Sequence, residues 1–93
     1  MLDFSGTVVV PDTVLFRDLC GEAILLDLDT ELYFGLDDVG TRMWSALTSE
    51  ASIRAAYEIL LAEYDVDPDR LRRDMEQLID QLLERHLIEL EGG

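Results

Sequence analysis

Residues 22–44 (EAILLDLDTELYFGLDDVGTRMW) constrain the fold of this chain more than any other stretch. Apolar side chains fill 23–28 apart from Asp27, Asp29-Thr30 supplies turn chemistry, and Glu31, Leu32, Tyr33 and Phe34 read as a second strand. Gly35 predicts a sharp stop, after which Asp37 or Asp38 caps a helix. The second strand is apolar and β-prone. It carries none of the lysine or proline that blunts an exposed sheet edge. If such a strand lies at an edge, it is either covered within the chain or open to a partner's strand.

The segments on either side fit this unit. Residues 7–10 are β-branched and end at the turn signal Pro11-Asp12, so the first third reads as a meander. Residues 14–17 form another strand candidate, and 18–21 a hairpin loop. Within 23–28, Ile24, Leu26 and Leu28 share one face and Ala23, Leu25 and Asp27 the other. The connections are too short for parallel crossovers, so the sheet is expected to be antiparallel.

Beyond Gly35 the apolar period changes to 3.6. The first helix turns Val39, Met43, Trp44 and Leu47 inward, and Gly40 early in it points to close backbone packing. A second helix over 52–64 carries the stripe Ile53, Tyr57, Leu60, Leu61 and Tyr64. Asp67-Pro68-Asp69 starts a third, with an N-cap acid, proline at N1 and an acid near the positive dipole end. That helix is expected to reach about His86. Leu71, Met75, Leu78 and Leu82 make its main apolar row, broadened by Ile79 and Leu83. Residues 87–90 suggest a short closing strand before the Gly-Gly tail. The expected architecture is α+β, one domain over 1–93: a three-stranded antiparallel sheet followed by three helices, winged helix-turn-helix-like.

Charge narrows the partners. Twenty-one acids oppose seven arginines and no lysine, for a net charge of -14. Such a surface repels phosphate backbones and anionic lipid heads, so neither nucleic acid nor a membrane is an expected partner. Arg70, Arg72 and Arg73 cluster at the start of the third helix, but Asp69, Asp74, Glu76 and Asp80 are interspersed with them. No apolar run approaches the roughly 20 residues that span a bilayer. The N-terminus does not read as a signal peptide, and the lone Cys20 suits a reducing, cytoplasmic setting.

Catalysis finds little support. Nucleophilic mechanisms need a nucleophile beside an oriented base. Here the only histidine, His86, is expected at a helix end and the only cysteine in a hairpin loop. Asp65, Asp67 and Asp69 resemble the start of a calcium loop. Pro68 and the missing glycine and terminal glutamate spoil that pattern, and helix capping accounts for them. No glycine loop cradles a phosphate. Neither enzyme activity, metal nor cofactor is expected.

Three runs carry a family likeness. They are Ile24-Leu25-Leu26-Asp27-Leu28, then Tyr33-Phe34-Gly35-Leu36-Asp37-Asp38-Val39-Gly40, then Met43-Trp44 with Leu47. Ala62-Glu63-Tyr64-Asp65-Val66-Asp67-Pro68 and Leu82-Leu83-Glu84-Arg85 extend it. The ordered set, from about Val14 to Ile88, resembles the PqqD-like family; Asp37 stands where that family commonly has asparagine, and either residue can cap the helix. The resemblance implies a precursor-peptide recognition element for ribosomally made, post-translationally modified peptides. In that family a winged-helix-like fold captures the leader of a precursor as an extra strand, beside the third strand and against the third helix. The acid-rich, arginine-only character is most similar to the discrete recognition protein of lasso-peptide clusters. That protein delivers the precursor to a cysteine-type leader peptidase and then a cyclase.

Strand addition of this kind suits an extended, disordered peptide. Glu31, Leu32, Tyr33 and Phe34 would supply the edge hydrogen bonds. Leu32 and Phe34 share one face and Tyr33 the other, which leaves two choices for the groove-lining set. Leu78 is the expected apolar floor, with Asp74, Gln77 and Gln81 at the rim and Arg70 and Arg73 meeting leader carboxylates at one end. Two other functions stay open: the carrier partner of a radical enzyme in peptide-derived cofactor biosynthesis, as for PqqD relatives, and a degenerate winged-helix module. In the latter the open edge would pair with itself in a homodimer.

Overall fold

In the computed structural model, which describes residues 4–92, the chain runs β1 (Thr7–Val9), β2 (Val14–Leu19), β3 (Glu22–Asp27), β4 (Leu32–Leu36), α1 (Asp38–Ser49), α2 (Ile53–Glu63), α3 (Pro68–Glu84) and β5 (Glu89–Glu91). Residues 1–3 and Gly93, which the expected 1–93 domain and its Gly-Gly tail include, lie outside the described residues. β2, β3 and β4 form the expected three-stranded antiparallel sheet in that order, and the three helices follow it. The class is α+β, as the periodicity predicts.

The first strand departs from the expected meander. β1 pairs with β5 in a separate two-stranded sheet, with Val8 opposite Leu90. The reason lies at the start of α2, whose first amides have no partner inside the helix. Ile53 N donates to Gly6 O (2.9 Å) and Arg54 N to Phe4 O (2.8 Å), which holds the N-terminal segment against the helices. Phe4 and Val8 are buried there, and Phe4 meets Tyr57 edge-on with Arg72 over its ring.

Both hairpin turns differ from the expected ones in length. Cys20 and Gly21 alone connect β2 to β3, both with positive φ (59° and 92°), so β2 runs on to Leu19. Left-handed backbone at both positions is the two-residue turn whose twist matches the strands, and glycine adopts it without strain. Asp18 Oδ1 accepts from Gly21 N (2.9 Å) to close it. Between β3 and β4 the turn takes residues 28–31 rather than Asp29-Thr30. Glu31, at φ 61°, donates its N–H to Asp27 O (2.7 Å), while the buried Asp27 carboxylate accepts from Asp29 N (2.9 Å). Leu28 and Glu31 therefore belong to the turn. Gly35 does not stop the strand either: Ile24 pairs with Gly35 and Ala23 with Leu36, and β4 ends only at the helix cap.

That cap is Asp37, whose Oδ1 accepts from Gly40 N (2.7 Å). The close packing expected at Gly40 is with this carboxylate, since a Cβ there would lie 3.1 Å from Asp37 Oδ1. Ser52 and Asp67 cap α2 and α3 in the same way. Arg42 of α1 forks onto Glu63 of α2, with Nε 2.8 Å from Oε2. Hydrogen bonding to the guanidinium, aided by its charge, holds the Glu63 carboxyl below the usual carboxylate range and raises Arg42 in turn.

The core lies between the sheet and the helices and is built on Leu25, Leu47, Ile53, Leu60, Met75, Ile79, Leu82 and Ile88. Two expectations for the helix rows need correction. Val39 is exposed, because it sits at N2 and overhangs the end of the helix pair. In α3 the buried row is Leu71, Met75, Ile79 and Leu82, and Leu78 is only half-buried at the margin of the core.

α3 ends at Glu84, earlier than expected, in a Schellman motif. Leu87 N donates to Leu82 O (2.9 Å) and His86 N to Leu83 O (3.1 Å), with His86 left-handed at φ 59°. A non-glycine residue there costs on the order of 1 kcal/mol. His86→Gly should relieve that strain against a smaller loss from unfolded-state entropy, for a net gain of about 0.5 kcal/mol and a rise in Tm of roughly 2–4 °C. Calorimetry would decide it; an unchanged or lower Tm would mean that the imidazole contributes more than its backbone costs.

Candidate functional site

The backbone of β4 has one side unpaired, and the direction of its polar groups follows from two hydrogen bonds. In an antiparallel strand, successive residues point their N–H and C=O alternately to either neighbour. Leu28 N donates to Thr13 O (2.8 Å), so Leu28, Leu26 and Ile24 are directed at β2. Ala23, Leu25 and Asp27 are then directed at β4, where their partners are Leu36, Phe34 and Leu32. The hydroxyl of Thr41 in α1 supports this parity: it accepts from Ala23 N (2.9 Å) and reaches Leu36 O (3.5 Å). Tyr33 and Gly35 are left with their N–H and C=O aimed at the free edge.

Side chains follow the same alternation. Leu32, Phe34 and Leu36 share the inner face with Ala23, Leu25 and Asp27, while Tyr33 shares the outer face with Leu26 and Leu15. The inner face beyond β4 meets α3 across a cleft of about 280 Å³, lined by Leu32, Phe34, Leu87, Arg85, His86 and Asp27 among others. The Arg85 guanidinium lies 5.1 Å from the Phe34 ring centroid. A second cleft of about 300 Å³ follows along α3, between Asp74, Gln77, Leu78 and Gln81 on one wall and Asp37, Val39, Gly40 and Met43 on the other. A third, also about 300 Å³, continues past Val39, Met43 and Asp74 to Val66, Leu71 and Arg70. The second and third clefts share Val39, Met43 and Asp74, and all three border one stripe of the α3 helix and its cap, positions 70, 74, 77, 78, 81 and 85, which a helical period of 3.6 brings onto one face.

Most of the residues picked from the sequence meet here. Leu32 and Phe34 form the sheet wall, Leu78 is a half-buried part of the floor, and Asp74, Gln77 and Gln81 stand beside it. Arg70 closes the far end. Two of them line none of these three clefts: Glu31 sits in the turn, outside the strand, and Arg73 falls at the edge of the stripe. Tyr33 offers its backbone to the edge but lays its side chain on the outer face, 68% exposed.

Arg85 was the notable omission. Its spacing of four from Gln81 and seven from Leu78 extends the stripe, and that periodicity was the available signal. The clefts at the two ends are lined mainly by apolar surface, and the middle one, beside Asp37, Asp74, Gln77 and Gln81, is more polar. Among the described residues no group of His, Cys, Asp and Glu is arranged to hold a metal ion, and no helix is long and apolar enough to cross a membrane.

A solved structure described as "TbiB1 in Complex with the TbiA(beta) Leader Peptide" superposes with a TM-score of 0.81 at 34% identity, over 87% of this chain and 94% of that one. A search of curated sequences finds no match. Residues 22–88, from the start of β3 to the residue before β5, match the profile of the family described as coenzyme PQQ synthesis protein D, and the chain therefore belongs to the PqqD family.

Proposed function

We propose that this protein binds the leader segment of a ribosomally made precursor peptide, by strand addition to β4, and presents it to separate processing enzymes. The observation that carries the reading is the open edge at Tyr33 and Gly35 lying directly beside a groove with α3. Main-chain hydrogen bonds supply affinity in this mode, and pockets for alternate side chains supply selectivity. The likeness to TbiB1, whose structure holds a leader peptide, supports this assignment and favours a lasso-peptide type of pathway. β2 is the other edge of the sheet, but Phe16 there stacks on Trp44 of α1.

The residues assigned to the leader are Leu32, Phe34, Leu78, Asp74, Gln77, Gln81 and Arg70, with Arg85 added and the edge groups of Tyr33 and Gly35. Glu31 and Arg73 are left out of the contact set. The role is binding, in the cytoplasm, with chemistry left to a leader peptidase and a cyclase. The outer face of the sheet supports hand-over, because Leu15, Leu19 and Tyr33 are exposed there beside half-buried Ile24 and Leu26. An apolar face that the leader groove does not use is a reasonable seat for a processing enzyme.

Fluorescence anisotropy of a labelled leader, taken from the precursor encoded alongside this protein, tests the reading. Saturable binding with Kd in the micromolar range or tighter, roughly -8 kcal/mol or better, is the expected result. A folded protein that leaves the leader free would overturn it. The family's description keeps a second reading in view, the carrier partner of a radical enzyme in cofactor biosynthesis. Tight association with such an enzyme, without leader binding by this chain alone, would favour that one.

A further inference from the structure

Gly35 stands inside an edge strand, where glycine costs backbone entropy and brings no side chain to pack. Nothing else in this chain demands it. Its φ lies outside the left-handed region, and a Cβ built on it meets no heavy atom within 4 Å. Glycine in a strand commonly marks a close approach by a ligand or another backbone. Here the backbone of Gly35 faces the free edge, and its missing side chain leaves a gap on the outer face beside Ile24.

That gap is part of a notch of about 380 Å³, with Leu19 and Ile24 as apolar walls and the carboxylates of Glu22 and Asp37 at its rim. No arginine lines it. Arg17 shares the cross-strand row of Ile24 and Gly35, yet it lines the neighbouring cavity with Leu15, Leu26 and Tyr33. Asp37 caps α1 through one carboxylate oxygen, which accepts from Gly40 N.

A strand laid against β4 puts alternate side chains on the two faces of the sheet, and the one across from Gly35 falls on the outer face, over the notch. We propose that the Gly35 notch is a specificity subsite for the leader, accepting a lysine or arginine whose apolar stem covers the glycine and whose charged head reaches Glu22 and Asp37. This rests on the leader-binding reading above. Apolar walls take the stem, since long cationic side chains bury their methylenes while the head stays in water. A net charge of -14 adds longer-range attraction for a basic segment. The subsite thus selects a basic residue at one defined position of the added strand, and it shares Asp37 with the groove on the inner face.

The test uses the same labelled leader and three proteins: wild type, Gly35→Val and Gly35→Ala. Both variants should fold with a Tm at or above wild type, because the added atoms enter open space. Gly35→Val should weaken leader binding at least fivefold and Gly35→Ala by less. Alanine substitution of each basic leader residue should then reveal one that weakens binding to wild type severalfold yet has little further effect on Gly35→Val. Glu22→Gln should lower affinity for the unmodified leader and flatten its salt dependence. Wild-type affinity in Gly35→Val overturns the subsite. Coupling to an aromatic or aliphatic leader residue instead overturns its cationic preference. If wild type itself ignores the leader, the leader-binding reading falls, and this inference falls with it.

Discussion

Tyr33→Pro is expected to weaken leader binding about 30-fold, roughly 2 kcal/mol, with little change in the stability of the free protein. The N–H of Tyr33 faces the open edge and makes no ladder bond with β3, so proline removes a donor that only an added strand would use. The pyrrolidine ring also projects where the partner's carbonyl must come, which adds a steric penalty to the lost hydrogen bond of about 1 kcal/mol. The strand tolerates this because proline is admitted on edge strands with its nitrogen turned outward. Phe34→Pro is the contrasting control. Phe34 is directed at Leu25, and its loss of a ladder bond and of packing against the core should cost about 2–3 kcal/mol of stability. Anisotropy titrations beside thermal melts of the two variants separate the effects. A folded Tyr33→Pro protein that binds as tightly as wild type would rule out pairing at this edge.

The distinction between Tyr33 and Phe34 was not legible in the sequence. Periodicity placed both on one strand and on opposite faces, but the direction of each N–H depends on which cross-strand pairs are hydrogen-bonded, and the turn sets that choice even where the register is the same. The turn over 28–31 is two residues longer than Asp29-Thr30 suggests, because the Asp27 side chain and the left-handed Glu31 stabilise a wider loop. What was legible was local: caps at Asp37 and Asp67, proline at N1 of α3, and the change of period after β4. The partner of β1 was not, since Thr7 meets Glu91 across almost the whole chain. Nor was the buried face of β3. Ile24 and Leu26 carry more apolar bulk than the row of Ala23, Leu25 and Asp27, yet the latter faces the core. The more apolar row lies half-buried on the outer face. On α3, Leu78 and Ile79 both fit the apolar row, and only tertiary packing reveals that Ile79 is the buried one.

Thr41→Val is expected to destabilise the protein by about 2 kcal/mol, a fall in Tm of roughly 10 °C for a domain of this size. The two side chains have nearly the same shape, so the change isolates the hydroxyl. That hydroxyl is buried and accepts from Ala23 N, itself on a residue only 1% exposed. Valine would leave this N–H without its acceptor inside the core, which costs the full desolvation penalty rather than the small net value of a hydrogen bond. Thr41→Ser keeps the acceptor and loses a methyl group, so it should cost only about 1 kcal/mol. Equal stability of the valine variant and wild type would show that Ala23 N finds another partner. The position matters beyond stability. Thr41 joins the start of α1 to the last pair of the β3–β4 ladder, next to Gly35 on one side and the Asp37 cap on the other. Loosening that junction lets the end of β4 fray and blurs the spacing between the edge and the α1 wall of the groove. Thr41→Val should therefore lose some leader affinity even at temperatures where it is fully folded, while Thr41→Ser should retain most of it. A loss of stability without any loss of affinity would mean that the leader engages only the turn-proximal half of the strand.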